Sequence, residues 1–587
     1  MFSFQNFVMP RTGASSAIDL YCRTDGEFVF PVLSGERRIE FFRNGKASFD
    51  TYFNALTVHK WKRNCSFEDV FVRLKGQGKF LVVFGLHKLG GEHRWLSDTI
   101  VELSEDGAVC EVPDWRKLDG GVLYISIRCI SETGVLNGGE WVTTTAPVNN
   151  RLKLGVVVTH FNRKDYVLPA ISRVKRELLD DPVYQGRVEM VVVDNSQNIS
   201  EDEAQGVIVL PNKNLGGSGG FTRGLMYLKE NSSFTHCLFM DDDASCEVES
   251  IKRAYNFLSY GVKENLAVSG GLLRELEPNR LYEKGAKFNG AVRPLKSGLN
   301  MSDPGDLVLA EEGNYEPDYG AWWFFAFPIT QVKNYPFPFF VRGDDIIFGK
   351  LNDFSIETLN GVSCWGGDFG LKSSPMSVYL DVRNHLVHNF TYVGSSNFYI
   401  VKMLMKFFVS NIFSYNYASA RSVVCAMDDF MKGPSYWRKD IDASDARKRV
   451  GSFAEEEKMR FVDKSEMEFS DVSMHESFLR KVLRFSSLNG FLFPSFMLKD
   501  SLVYQEKGFR ANFREVFRHR RVLYCHGPSS MGYVAVHNKK RFFGELVSFF
   551  GGVMRLLRKS KELRDLYGRN LPDMTSENFW KGIYYND

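Results

Sequence analysis

The run Phe239-Met240-Asp241-Asp242-Asp243-Ala244 closes an apolar stretch with three adjacent carboxylates. Side chains alternate between the faces of a strand, so Asp241 and Asp243 are expected on one side, near enough to share a divalent ion directly or through a bound diphosphate. Acids at a buried strand end are costly unless a cation or hydrogen-bond donors neutralise them. Hard oxygen donors favour Mg2+ or Mn2+ over softer metals. A solvated acidic cluster is the alternative.

Three further sequences have chemistry in them. Asn214-Leu215-Gly216-Gly217-Ser218-Gly219-Gly220-Phe221 follows the apolar run Gly206–Leu210 and precedes a helix-like stretch. Without Cβ atoms, such a loop lets a phosphate or nucleotide reach backbone N–H groups at a helix start. It matches neither a GxGxxG nor a P-loop pattern, and a flexible connector reads equally well. Trp322 and Trp323 are adjacent indoles; if they straddle a strand, one faces the core and the other offers a flat surface to a sugar ring, with core packing of both as the alternative. Asp344 and Asp345 follow the apolar Phe337–Val341 segment, a setting for a partly desolvated general base, though a helix N-cap is the plain role for Asp344.

The elements that must position these residues fall into three parts. The 587 residues exceed one typical domain, and 44% hydrophobic with 25% charged residues is ordinary globular composition. Basic residues (74) nearly cancel acidic ones (71), so no nucleic-acid partner is expected, and the short cluster Arg518, Arg520 and Arg521 reads as solvated or facing acidic lipid. Nine scattered cysteines without CxxC spacing, no signal-like start and no long apolar window point to a cytoplasmic protein. Residues 1–148 show period-two alternation, as in Gly121–Ile130, where Leu123, Ile125, Ile127 and Cys129 share a face; this predicts an antiparallel β-sandwich. Residues 149–395 alternate short apolar runs with helical lengths, which predicts a doubly wound α/β domain with ligands beyond the carboxyl ends of its strands. Residues 396–587 read as mostly α-helical, and the basic, apolar stretch 541–569 suits either packing on its own domain or an anionic membrane surface.

The combination HFNR (160–163), NLGGSGGF (214–221), FMDDDA (239–244), WW (322–323), DD (344–345) and RN (383–384), after a β-rich segment with TYFNAL (51–56), resembles the bacterial galactofuranosyltransferases that polymerise galactofuran. The resemblance covers residues 45–395, and its most specific element is the glycine loop followed by the Asp triplet. It implies a GT-A central domain between a β-sandwich and a helical region, with UDP-galactofuranose as donor and a divalent metal as cofactor. By matching residue, Asp241 and Asp243 would hold the metal. Arg163, Asp194 and Asn214, with Gly216, Gly217 and Asp242, would lie along the nucleotide. Trp322, Trp323 and Asp344 would shape the sugar pocket, and Asp345 would be the base. Where the family has a metal-binding His after a Trp, this chain has Gly366 after Trp365, which leaves Asp368, His385 and His388 as candidates for the third ligand. For His388 a structural role is the alternative.

The implied activity is inverting transfer of galactofuranose to a glycan or lipid-linked glycan acceptor, with peripheral membrane contact and a homo-oligomer as further implications. Another nucleotide sugar, or a noncatalytic glycan-binding subunit, are the competing readings.

Overall fold

The computed structural model describes residues 1–11, 15–33, 37–313, 316–367, 369–465, 467–470, 476–508 and 511–585. The alternation in the first part becomes antiparallel strands: Val122–Cys129 buries Leu123, Ile125, Ile127 and Cys129 on one face. Eleven strands form one connected antiparallel system that curls toward a barrel. The physical reason is the 17-residue strand Phe71–His87, which pairs with His93–Leu103, Val122–Cys129 and Thr133–Thr143 and so belongs to both halves. Gly78, at φ +103°, lets that strand bend between them.

The central sheet has seven strands, and its first four are the apolar runs read from the sequence. Ile208–Pro211, Val188–Asp194, Leu154–His160 and His236–Asp241 pair in parallel, in that spatial order. The sheet is not parallel throughout: Phe325–Pro328 inserts antiparallel beside His236–Asp241, with Phe239 opposite Phe325. This reversal positions the site, because the turn entering Phe325 lies beside the turn leaving Asp241. A parallel strand would place Trp322 and Trp323 at the opposite edge of the sheet.

Beyond this sheet the helix Pro375–Phe390 packs against Tyr417–Phe430, and Asn397–Ile412 joins the same core. The boundary expected at 395 falls among these helices. The C-terminal part is less helical than its sequence suggests, since Lys499–Glu506, His519–His526, Met531–Val536 and Arg460–Phe461 form a four-stranded sheet. Residues 541–569 are two helices, Lys539–Arg558 and Ser560–Met574. Gly552 lies inside the first, where a Cβ would stand 2.8 Å from Met427 Cε, so the glycine that weakens the helix permits close packing. The last helix, Glu577–Tyr585, returns to the central domain: Trp580 is fully buried and donates to Pro336 O (2.8 Å), and Tyr584 Oη donates to Gly219 O (2.5 Å).

Candidate active site

Asp241 ends its strand and Asp243 follows in the adjoining turn, and both line a cavity of ≈ 620 Å3. Asp344 and Asp345, the first two residues of the helix Asp344–Leu351, line the same cavity. Two acidic pairs a hundred positions apart in the chain thus face one space of a size suited to a small-molecule ligand.

The glycine loop connects them. Gly216 adopts φ +68° at the start of the helix Gly216–Glu230, and a Cβ there would run into the carbonyl oxygen of Phe340. Ser218 N donates to that same oxygen (3.1 Å), and Ser218 Oγ donates to Asp344 Oδ2 (2.9 Å). Gly216→Ala combines left-handed strain with a backbone clash and is expected to cost about 1–3 kcal/mol, read as a lowered thermal midpoint. An unchanged midpoint would contradict this account.

The approach to Asp344 is strained. Phe340 and Arg342 have φ +74° and +73° and Gly343 has φ +81°, so residues 340–343 use a conformation that side chains disfavour. Arg383 donates to Phe339 O (2.8 Å), and Asn384 donates to Val341 O (3.0 Å) and Arg342 O (2.6 Å). The Arg-Asn pair singled out in the sequence therefore holds the acidic loop from behind. The N-cap of the helix is Gly343, not Asp344, whose carboxylate accepts from Ser218 instead.

The electrostatics differ along the Asp run. Burial, then Asp243, pushes Asp241 up to about 7. Burial also raises Asp243, but Lys372 (3.0 Å) and Arg163 (2.8 Å) outweigh it and hold this carboxyl below its usual range. Burial raises Asp345, followed by the charges of Asp344 and Asp241; burial raises Asp344, opposed by its Ser218 hydrogen bond. A fifth acid, Glu283, lines the cavity and is pushed up to about 8 by burial and Asp345. Six acids line the cavity against Arg163, Lys372 and an Arg342 already paired with Asp381, so the carboxylates outnumber the cations and form a donor set that suits a hard divalent cation. Among the described residues no group of three His, Cys, Asp or Glu stands ready as a complete protein cage.

Several residues depart from expectation. Asp242 turns away from the cavity: its carboxylate accepts from Phe161 N (3.3 Å) and Arg163 (3.0 Å) and lies 3.3 Å from His160 Nδ1. Asp194, 1% exposed, accepts from the backbone N–H groups of Ser196, Asn198 and Ile199 and organises its own turn. Asn214 accepts from Gly216 N (3.1 Å) and shapes the glycine loop, while Gly217 reaches the cavity wall. His388 is not in the cavity wall. It is buried against Phe288 and Phe339 behind Gly343, with Tyr392 Oη 2.7 Å from its Nδ1. His385, one turn earlier, does line the cavity, and its Nδ1 lies 2.7 Å from Asp381 O. Asp368 lies outside the described residues.

Trp322 and Trp323 occupy the turn before Phe325–Pro328, not the strand, and both line the cavity. Trp322 packs on Phe221, Phe239 and Phe348, and its buried indole N–H has no hydrogen-bond partner. Trp323 donates to Gly270 O (2.9 Å) and is half-buried. Glu283 and Lys372 were not legible as site residues: a single acid in Tyr282-Glu283-Lys284 and a single Lys in a polar loop match no motif.

The model of the galactofuranosyltransferase 2 N-terminal region matches residues 4–144, and that of glycosyl transferase family 2 matches residues 155–284. The chain is similar to galactofuranosyltransferase GlfT2 of Mycolicibacterium smegmatis, at 24% identity over 428 residues, covering 68% of this chain and 65% of the relative. It is also similar to galactofuranosyltransferase GlfT2 of Mycobacterium tuberculosis, at 23% identity over 426 residues, covering 67% and 66%. The chain spans just under two thirds of the length of these curated relatives. A crystal structure of GalNAc-T7 with UDP, GalNAc and Mn2+ aligns with TM-score 0.31 and 12% identity, covering 68% of this chain and 73% of that one. The chain thus carries a match to the galactofuranosyltransferase 2 N-terminal model followed directly by a match to the glycosyl transferase family 2 model, and it is similar over two thirds of its length to galactofuranosyltransferases.

Proposed function

We propose that the protein is an inverting, metal-dependent glycosyltransferase that moves galactofuranose from UDP-galactofuranose to a hydroxyl of a cell-envelope glycan. The observation that carries this reading is the convergence of Asp241, Asp243, Asp344 and Asp345 on one cavity walled by Trp322 and Trp323.

Asp345 accepts the proton of the acceptor hydroxyl as its oxygen bonds to the anomeric carbon, and the bond from that carbon to the diphosphate breaks on the opposite face. No protonating acid is needed at the leaving group. Asp241 and Asp243 would hold a divalent ion, Mn2+ or Mg2+, which neutralises the departing diphosphate when bound. Arg163 and Lys372 face the same end of the cavity and add fixed positive charge there. The aromatic walls exclude water and offer apolar faces to the sugar. Asp344, tied to Ser218, couples the glycine loop to the helix that presents Asp345.

A lipid-linked acceptor fits this reading without a spanning segment: among the described residues no helix is long and apolar enough to cross a membrane. The helix Phe478–Ser486 exposes Phe478, Leu479, Val482 and Leu483 beside Arg480 and Lys481, a combination suited to peripheral contact with an acidic bilayer.

Incubation of the purified chain with UDP-galactofuranose and synthetic galactofuranose acceptors is expected to extend them, with the linkage read by NMR. A panel of UDP- and dTDP-sugars tests the donor. Transfer only from a pyranose donor would move the proposal to another sugar, and no transfer from any donor would overturn it.

A further inference from the structure

The N-terminal sheet has an aromatic surface that the transfer mechanism does not use. Register places Tyr124, Gly85 and Trp95 in one row across Val122–Cys129, Phe71–His87 and His93–Leu103, and His87 faces His93 two residues further along. All four side chains therefore belong to one face of the sheet. Gly85 makes the arrangement possible, since a Cβ there would run into the ring of Tyr124. The His87 ring stacks on Tyr124 with centroids 4.6 Å apart and planes 14° from parallel. His93 Nε2 lies 2.5 Å from Tyr124 Oη, and the His93 ring meets Trp95 edge to face at 4.9 Å. Trp95 is 61% exposed, so its indole adds little to the core.

The surface has a polar edge. Asp50, nearly buried, accepts from Ser48 Oγ (2.6 Å), lies 3.0 Å from His87 Nε2, and forms an ion pair with Arg23. The charges of Asp50 and Arg23 cancel, and burial together with Arg23 pushes His87 down to about 4, which leaves it neutral. Flat aromatic faces bordered by donors and acceptors with no surplus charge complement a ligand with apolar C–H faces and a rim of hydroxyls. A nucleic acid or an acidic lipid would need a cationic groove instead.

The surface is also joined to the cavity. Tyr124 packs in an apolar layer with Leu281, Met301 and Leu307, and the residues after Leu281, Tyr282 and Glu283, line the cavity. We infer that this face is a second saccharide-binding site, centred on the exposed Trp95 and His93 and backed by the buried Tyr124, which holds a stretch of neutral glycan chain while its end occupies the cavity. The identity of the chain as a galactofuranose polymer rests on the proposed function; the binding of a saccharide does not.

The test uses the full-length protein with a synthetic galactofuranose hexasaccharide and matched galactopyranose, arabinose and glucose oligomers. Binding is measured by calorimetry and by the indole N–H signal of Trp95. Trp95→Ala is expected to weaken hexasaccharide binding at least tenfold, Trp95→Phe to retain most of it, and His93→Ala to fall between. All three variants should keep the kcat for a disaccharide acceptor, and Trp95→Ala should release shorter products. An oligomer other than the galactofuranose one that shifts Trp95 supports the site and changes its sugar. If none shifts Trp95, or Trp95→Ala binds the hexasaccharide as well as the unaltered protein, the inference falls. Absence of transfer from every donor, with Trp95 still responding, would overturn the proposed function and leave this site standing.

Discussion

Asp345→Asn is expected to lower kcat by at least about 10^3-fold while UDP binds within a few-fold of its usual affinity. The carboxylate lines the cavity and accepts a hydrogen bond from the backbone N–H of Ile346 (2.8 Å), and Asp345 has no proposed part in holding the diphosphate. Its removal therefore takes away proton acceptance and leaves the diphosphate end intact. The pH profile provides a second reading. Burial, then Asp344 and Asp241, raise the proton affinity of Asp345, so the rate of the unaltered protein should climb through neutral pH into the mildly alkaline range as the acidic pair empties. The stability sign runs the other way. A carboxyl with a raised folded-state pKa stabilises the fold below its unfolded value, and that contribution is lost as pH rises through the folded value. Asp345→Asn should therefore unfold at the same or a higher temperature than the unaltered protein at pH 8, together with its loss of activity. A fall in UDP affinity equal to the fall in rate would remove Asp345 from the role of base.

The same contrast explains what the sequence made legible. The parallel strands could be read because fully buried strands are written as unbroken apolar runs, such as Val188–Val193 and His236–Met240. The single N-terminal sheet could not, because alternation reports which face of a strand is buried and is silent on whether a 17-residue strand serves two halves. The C-terminal sheet hid for a related reason: Lys499–Glu506 and His519–His526 are rich in charge and lie among stretches with a strong helical period. At the site, acids that recur in pairs were visible. Their individual duties were not, since Asp242 and Asp194 turn onto hydrogen-bond donors that only the folded loops create. Glu283 became visible as a cavity acid only once the antiparallel reversal and the packing of the Leu281–Glu283 strand were known.

Excess EDTA is expected to abolish transfer, and Mn2+ or Mg2+ to restore it. Asp241→Asn should lower activity by at least about 10^2-fold under saturating ion, a loss typical of removing one charged group that stabilises the transition state. A readout independent of turnover follows from the proton affinity of Asp241. In the ion-free chain its carboxyl is pushed up to about 7 by burial and by Asp243, so its contribution to stability is full at low pH and lost as pH rises through that value. A divalent cation competes with that proton and compensates the charge that replaces it. Mn2+ should therefore raise the thermal midpoint more at pH 8 than at pH 6, and this pH-dependent increment should shrink or vanish in Asp241→Asn. Asp243 behaves differently because Lys372 and Arg163 already meet its charge, so Lys372→Met should leave a less compensated carboxylate and enlarge the Mn2+ increment. Full activity in EDTA, with no effect of Mn2+ on unfolding at either pH, would remove Asp241 and Asp243 from metal binding and leave Arg163 and Lys372 as the groups that meet the diphosphate.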